Sequence, residues 1–191
     1  MNRILLDLPE CLPGPRVTVR PWCAGDGAAM FEAVEASREA LLPWLPWGRT
    51  SHANPEESEA LVRKWRANWD LRDDLSMGIW IGERLIGGIG LHRIDWSLPS
   101  FEMGYWMRPE ERGKGYATEA ARIAADFAFE TLGAVRVALR CAVDNEPSAR
   151  IALRIGMREE GVLRNATRDA DGRLWNLRIF GLVSKDPSNL S

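Results

Sequence analysis

The sequence predicts a single α+β domain: a mixed, mostly antiparallel sheet of about seven strands flanked by helices, with one parallel pair beside a ligand-binding loop. Three observations carry that expectation. The hydrophobic period switches from helical to extended near Met77, and three extended runs then follow one another through short turns. A glycine-bearing stretch, Arg112-Gly113-Lys114-Gly115, stands where the apolar run Phe101–Met107 hands over to a helical pattern. Beyond that helix a further extended run begins, and a strand–helix–strand path implies a right-handed crossover and parallel pairing. The 191 residues hold no internal repeat and no linker. They suit one core rather than two.

Residues 1–15, with Pro9, Pro13 and Pro15, are expected to form an irregular lead-in to a domain spanning 16–184, with 185–191 as a tail. Arg16-Val17-Thr18-Val19-Arg20 alternates polar and apolar and reads as a half-buried strand ended by Pro21. Asp26 is placed to cap a helix with Ala29, Met30, Ala33 and Val34 inward. Leu41-Leu42-Pro43-Trp44-Leu45-Pro46-Trp47 then breaks the helical pattern while keeping greasy side chains, which suits a loop that covers something. Asn54-Pro55-Glu56-Glu57 combines a cap, a proline at the first position and acids in the first turn. The helix it opens should run to about Asp70, with Leu61, Val62, Trp65 and Trp69 as its apolar face.

Met77–Ile81 and Leu85–Leu91 flank Gly82-Glu83-Arg84 as a hairpin, and Asp95–Pro99 turns the chain into the strand at Phe101. After the loop, Ala117, Ala120, Ala121, Ala124, Phe127 and Ala128 recur at helical spacing until Gly133. Val135–Arg140 alternates as a strand. Asn145-Glu146-Pro147-Ser148 opens a short helix closed by Gly156. Met157–Leu163 and Leu174–Val183 are the last two strands, with Asp171-Gly172 as a turn between them.

The chemistry is expected at Arg112–Thr118. The first N–H groups of a helix have no intrahelical partner and carry the positive end of its dipole, so they hold anions. Gly113 and Gly115 carry no Cβ atoms to keep a ligand off those groups. The stretch lacks the Lys-Ser/Thr pair of an ATP-binding P-loop and the three-glycine spacing of a dinucleotide fingerprint. It does fit an Arg-x-x-Gly-x-Ala pattern through Arg112, Gly115 and Ala117.

With that loop, the element order and Val143-Asp144-Asn145-Glu146-Pro147-Ser148 followed by Gly156, the chain resembles the GNAT superfamily of acyl-CoA-dependent N-acetyltransferases over essentially its whole length. Met157 replaces the aromatic that usually follows that glycine. The resemblance implies acetyl-CoA as cosubstrate. It assigns cofactor binding to Trp106 and Met107 through the backbone, to Arg112, Gly113, Lys114, Gly115, Tyr116, Ala117 and Thr118 around the pyrophosphate, and to Asn145. Plain core is the alternative for the side chains of Tyr105, Trp106 and Met107, and solvation for Arg112 and Lys114.

Transfer to an amine needs a proton removed from the amine and one returned to the leaving thiolate. Glu102, the one acid inside an apolar run, is the candidate base, against the alternative of an outward carboxylate or one paired with an arginine. Gly104 on the same face would leave room for a substrate. Ser148 is the candidate acid and Asn145 a CoA contact, although both also suit a helix start. Within the superfamily, Phe101–Met107 and Leu41–Leu45 resemble the Rim-type (RimJ/RimL-like) enzymes that acetylate the N-terminal α-amines of ribosomal proteins. Trp44, Trp47 and Glu102 are then expected at the acceptor. Trp175-Asn176 replaces a His-Asp pair common in relatives, and Thr167 stands near a position where some carry an acid. A small amine such as a polyamine, amino acid or aminoglycoside remains the alternative acceptor, and a non-catalytic CoA sensor a third reading.

A net charge of -2 gives no general reason to bind nucleic acid or an acidic membrane, and no stretch is long enough to span one. Cys11, Cys23 and Cys141 lack metal-ligand spacing and only His52 and His92 are available, so no metal is expected. The histidines and Cys141 read as structural. The first residues show no signal-peptide pattern, and a reducing cytoplasm is expected. Nine tryptophans must find places in core, cleft or interface, and a homodimer would use some of them.

Overall fold

The computed structural model describes residues 3–42, 44, 51–169 and 171–184. One eight-stranded sheet runs through them in the order β1-β2-β3-β4-β5-β6-β8-β7. Its strands are β1 (Leu12–Pro13), β2 (Thr18–Pro21), β3 (Leu75–Ile81), β4 (Arg84–Asp95), β5 (Ser100–Met107), β6 (Arg136–Ala142), β7 (Arg158–Arg168) and β8 (Leu174–Val183). Every pairing is antiparallel except β5 with β6. The strand beyond the expected seven is β1, which pairs two residues of the lead-in with Thr18 and Val19, and Arg3–Leu5 before it forms a 3-10 turn.

The helices are α1 (Gly27–Glu35), α2 (Arg38–Leu41), α3 (Pro55–Leu71), α4 (Tyr116–Asp126) and α5 (Glu146–Arg154). Asn54 Oδ1 accepts from Glu57 N at 2.7 Å and Pro55 follows it, so α3 starts where its capping signal stands. Asp26 precedes α1 but does not cap it through its side chain. Its carboxylate takes Arg20 at 2.7 and 2.9 Å and Cys23 N instead, fastening the turn back to β2. The pattern ending at Gly133 is α4 followed by a π-turn at Phe127–Thr131.

The sheet separates two cores. On one face Trp80, Leu85 and Trp106 pack with Trp22, Met30, Val34 and Val62 from the α1–α3 layer. On the other the alanines of α4, with Ala149 and Ala152 of α5, lie on Met103, Met107 and Leu139. These small residues let the helices lie close on the sheet. Most of the described tryptophans serve these cores: Trp22, Trp69, Trp80 and Trp106 are buried, and Trp65 and Trp96 pack against them partly buried. Trp47 lies outside the described residues. Among the described residues no helix is long and apolar enough to cross a membrane.

Candidate active site

The parallel pair is short. Ser100–Met103 align with Arg136–Leu139, and no pairing of β5 with β6 extends beyond. Past that point Gly104–Met107 pair only with β4, and Arg140–Ala142 only with β8. The strands part, which leaves one edge of β5 without a strand partner and opens a cleft of about 730 Å³. Because side chains alternate along a strand, the two faces of the gap differ. Met103, Tyr105 and Met107 side with α4 and α5. Trp106 sides with the α1–α3 core, and Glu102 and Gly104 share its alternation.

The loop before α4 lies at one end of the cleft, lined by Arg112, Gly113, Gly115, Ala117 and Thr118. Gly115 is the N-cap of α4 at φ 87°, and Gly113 has φ 76°. Positive φ is the reason for glycine at both. A Cβ at Gly113 would meet nothing, while one at Gly115 would stand 3.2 Å from Arg16 Nη2. Arg16 holds the loop from outside. Its Nη1 donates to Lys114 O at 2.9 Å, its Nε to Glu119 Oε2 at 2.7 Å, and its guanidinium lies 5.0 Å from the Tyr116 ring centre. Burial pushes the Glu119 carboxyl up, but bonds from Arg16 and from Val17 N outweigh this and hold it below the usual range. Lys114 Nζ lies 2.9 Å from Glu111 Oε2, and neither Lys114 nor Tyr116 is among the residues lining the opening. Arg150 in the middle of α5 and Arg154 at its end line it and were not singled out by the sequence.

Asn145 Oδ1 accepts from Ser148 N at 3.2 Å, so Asn145 caps α5, and both residues also line the cleft. Ser148 Oγ sits 2.9 Å from Tyr105 Oη. Burial pushes the Tyr105 phenol up to about 12, only partly offset by the Ser148 hydrogen bond. The hydroxyl pair therefore keeps its protons at neutral pH. Cys141 lines the same region, and burial raises its thiol, which disfavours the nucleophilic thiolate.

Across the gap, Arg140 Nη2 lies 2.9 and 2.7 Å from the two oxygens of Glu102, and Arg93 Nε lies 3.6 Å from Oε1. Arg140 Nε is buried with no hydrogen-bond partner among the described residues. Leu41 and Trp44 lie over this side, and Trp44 meets Trp175 from β8 with ring centres 5.9 Å apart. Trp175 Nε1 donates to Asp169 Oδ2 at 2.9 Å, and Arg173 stacks 4.5 Å from its ring. Asp169, two residues beyond Thr167, is the acid at the cleft on this hairpin.

The structure thus gathers Trp44, Glu102, Trp106, Met107, Arg112, Gly113, Gly115, Ala117, Thr118, Asn145 and Ser148 around one opening. Sequence reasoning did not single out Arg140 or Asp169, named Trp175 only as a replacement in a His-Asp pair, and treated Tyr105 as core. Among the described residues no group of three or more His, Cys, Asp and Glu side chains is placed to hold a metal ion.

A sheet parted at its one parallel pair, with a helix N-terminus facing the gap and an acid across it, offers one side to an anionic ligand and the other to a second reactant. The chain belongs to the acetyltransferase (GNAT) domain family, whose model matches residues 16–158. A putative ribosomal N-acetyltransferase, YdaF of Bacillus subtilis (strain 168), is 31% identical over 176 residues, covering 92% of this chain and 96% of that one. Among solved structures, RimL, a ribosomal α-N-protein acetyltransferase in complex with coenzyme A, superposes with a TM-score of 0.86 at 18% identity, covering 91% of this chain and 98% of its own. Mycobacterium smegmatis RimJ, in complex with CoA-disulfide, gives 0.81 at 25% identity, covering 88% and 82%.

Proposed function

We propose that this acetyltransferase moves the acetyl group of acetyl-CoA to the N-terminal α-amine of a protein, such as a ribosomal protein, by direct attack in a ternary complex. The observation that carries the reading is the opening of the cleft to both sides of β5. The loop, Tyr105 and Ser148 serve a donor on the α4–α5 side, and Glu102 waits on the side of Trp44 and Trp175. The open edge of β5 near Trp106 and Met107 offers backbone groups to the pantetheine arm. The N–H groups of the Arg112–Thr118 turn take the pyrophosphate, with Arg112, Arg150 and Arg154 as nearby cations.

Glu102, held by Arg140, draws a proton from the acceptor ammonium through water. The amine nitrogen then attacks the thioester carbon, the carbon–sulfur bond breaks, the thiolate takes a proton from Ser148, and the second proton shed by the nitrogen restores the Ser148 hydroxyl, which Tyr105 backs. Charge at the cleft favours a peptide over a polyamine. Glu102, Glu111 and Asp169 are each tied to donors, while Arg93, Arg140 and Arg168 also line it. A multivalent cation would meet guanidinium groups there. The names of YdaF and RimL supply the ribosomal acceptor class.

The test is CoA release from acetyl-CoA against N-terminal peptides, polyamines and aminoglycosides. Release with peptides is expected. Release only with small amines would replace the acceptor, and acetyl-CoA binding without release to any amine would leave a sensor.

A further inference from the structure

Gly90 and Gly104 are register partners on β4 and β5, and the His92 imidazole lies over both. A Cβ on Gly90 would stand 2.5 Å from His92 Cε1 and Nε2, and one on Gly104 would stand 3.4 Å from Cδ2 and 3.6 Å from Nε2. Facing glycines therefore leave a trough in which the ring lies, with Ser76 Cα at 3.3 Å from the position of a Cβ on Gly90. His92 is the cross-strand partner of Glu102, which puts the two side chains on one face of the sheet. Gly104 is the first residue of β5 past its last parallel pair, Met103 with Leu139. The ring thus leans from Glu102 toward the point where the strands part. Its Nδ1 is 2.7 Å from Asp74 Oδ2, just before β3. A carboxylate on Nδ1 fixes the tautomer that leaves Nε2 as an acceptor. The charged and titratable groups around the ring are Asp74, Glu102, Arg93 beside it on β4, and Arg140 of β6 behind Glu102.

We propose that His92, oriented by Asp74, receives the proton that leaves the acceptor ammonium and delivers it to solvent. The inference rests on the acetyl-transfer reading above and extends it. The proton passes from the ammonium, through the water at Glu102, to Nε2. The side chain is 37% exposed, so the proton can leave from there to bulk water. The carbon–nitrogen bond forms as the carbon–sulfur bond breaks, and the thiolate is protonated separately on the Tyr105–Ser148 side. His92 and Glu102 are then successive stations for one proton. The role needs no contact between His92 and the donor, so acetyl-CoA affinity is not part of it.

The test is the pH profile of kcat/KM for the wild type, His92→Gln and Asp74→Asn, with whichever primary amine the wild type acetylates, alongside acetyl-CoA affinity by calorimetry. His92→Gln is expected to lower kcat/KM about tenfold or more at pH 7, and acetyl-CoA affinity should stay within twofold. The deficit should shrink as the pH rises toward values at which the amine already lacks its extra proton. Asp74→Asn should show the same pH-dependent pattern with a loss of a few fold. An unchanged profile, or a deficit equal at every pH, would overturn the relay while leaving the transferase reading intact. Absence of wild-type turnover with any amine would overturn both.

Discussion

The two faces of β5 are built on different principles. Toward α4 and α5, the strand buries Met103, Tyr105 and Met107 against alanines, and the parts meant for the donor are backbone: an open strand edge, a helix start and a cap. Toward α2, it presents Glu102, Gly104 and Trp106, and the parts meant for the acceptor are side chains from distant segments, Arg140, Trp44 and Trp175. On the proposed reading, backbone geometry serves the donor and side chains serve the acceptor. Substitutions on the first face should therefore act on binding of acetyl-CoA, and those on the second on turnover or on the acceptor.

The largest effect is expected from Gly115→Val. A β-branched side chain at φ 87° is strained, and its Cβ would press on Arg16, so the N–H groups of the turn would move. Acetyl-CoA affinity by calorimetry should fall about a hundredfold or more, and an unchanged value would remove the donor side of the comparison. Glu102→Gln should cut kcat by up to about a hundredfold with acetyl-CoA affinity within twofold. Full activity there would place the base elsewhere.

Tyr105→Phe sharpens the comparison by a route that needs no turnover. The folded phenol titrates near 12 against 10.0 for an ordinary tyrosine, so the unfolded chain ionises first. The contribution of this group is fully present below about pH 10 and is lost as the pH rises to about 12, roughly 2–3 kcal/mol in all. Denaturant titrations across that window should show a shallower fall in the Phe variant. An identical slope would mean Tyr105 ionises freely. The smallest effect is expected from Trp175→Ala, which removes one half of the Trp44–Trp175 contact. The acceptor KM should rise by about three- to tenfold with acetyl-CoA affinity unchanged, and a change confined to acetyl-CoA would reverse the assignment of faces.

The same division governs what the sequence disclosed. Local signals worked where the cause is local: Asn54-Pro55 starts α3, Asn145 caps α5, and Gly115 starts α4. The period change near Met77 marked β3, and Leu174–Val183 was read to its ends. Partners far apart in the chain left no such trace. Arg16 reaches Glu119 across 103 positions, and Arg140 reaches Glu102 across 38. Tyr105 read as core because most of its ring is core. Only its hydroxyl finds Ser148, 43 residues away. Asp26 shows the converse failure, since a residue of the right type before a helix gave its carboxylate to Arg20. Capping preference is weak beside a charge-assisted partner.

The short parallel seam has a mechanical consequence. Among the described residues the sheet falls into a five-strand part, β1 to β5, and a three-strand part, β6, β8 and β7, whose strands pair along Ser100–Met103 and Arg136–Leu139, with one further bond from Val135 N to Pro99 O at 2.8 Å. A molecule lying in the gap is, in effect, an extra strand that rivets the two parts together. Occupancy at a hundred times the dissociation constant adds about 2.7 kcal/mol to stability. Backbone amides of β5 that water reaches in the empty protein would become slow to exchange. On the proposed reading the donor would be both reactant and girder.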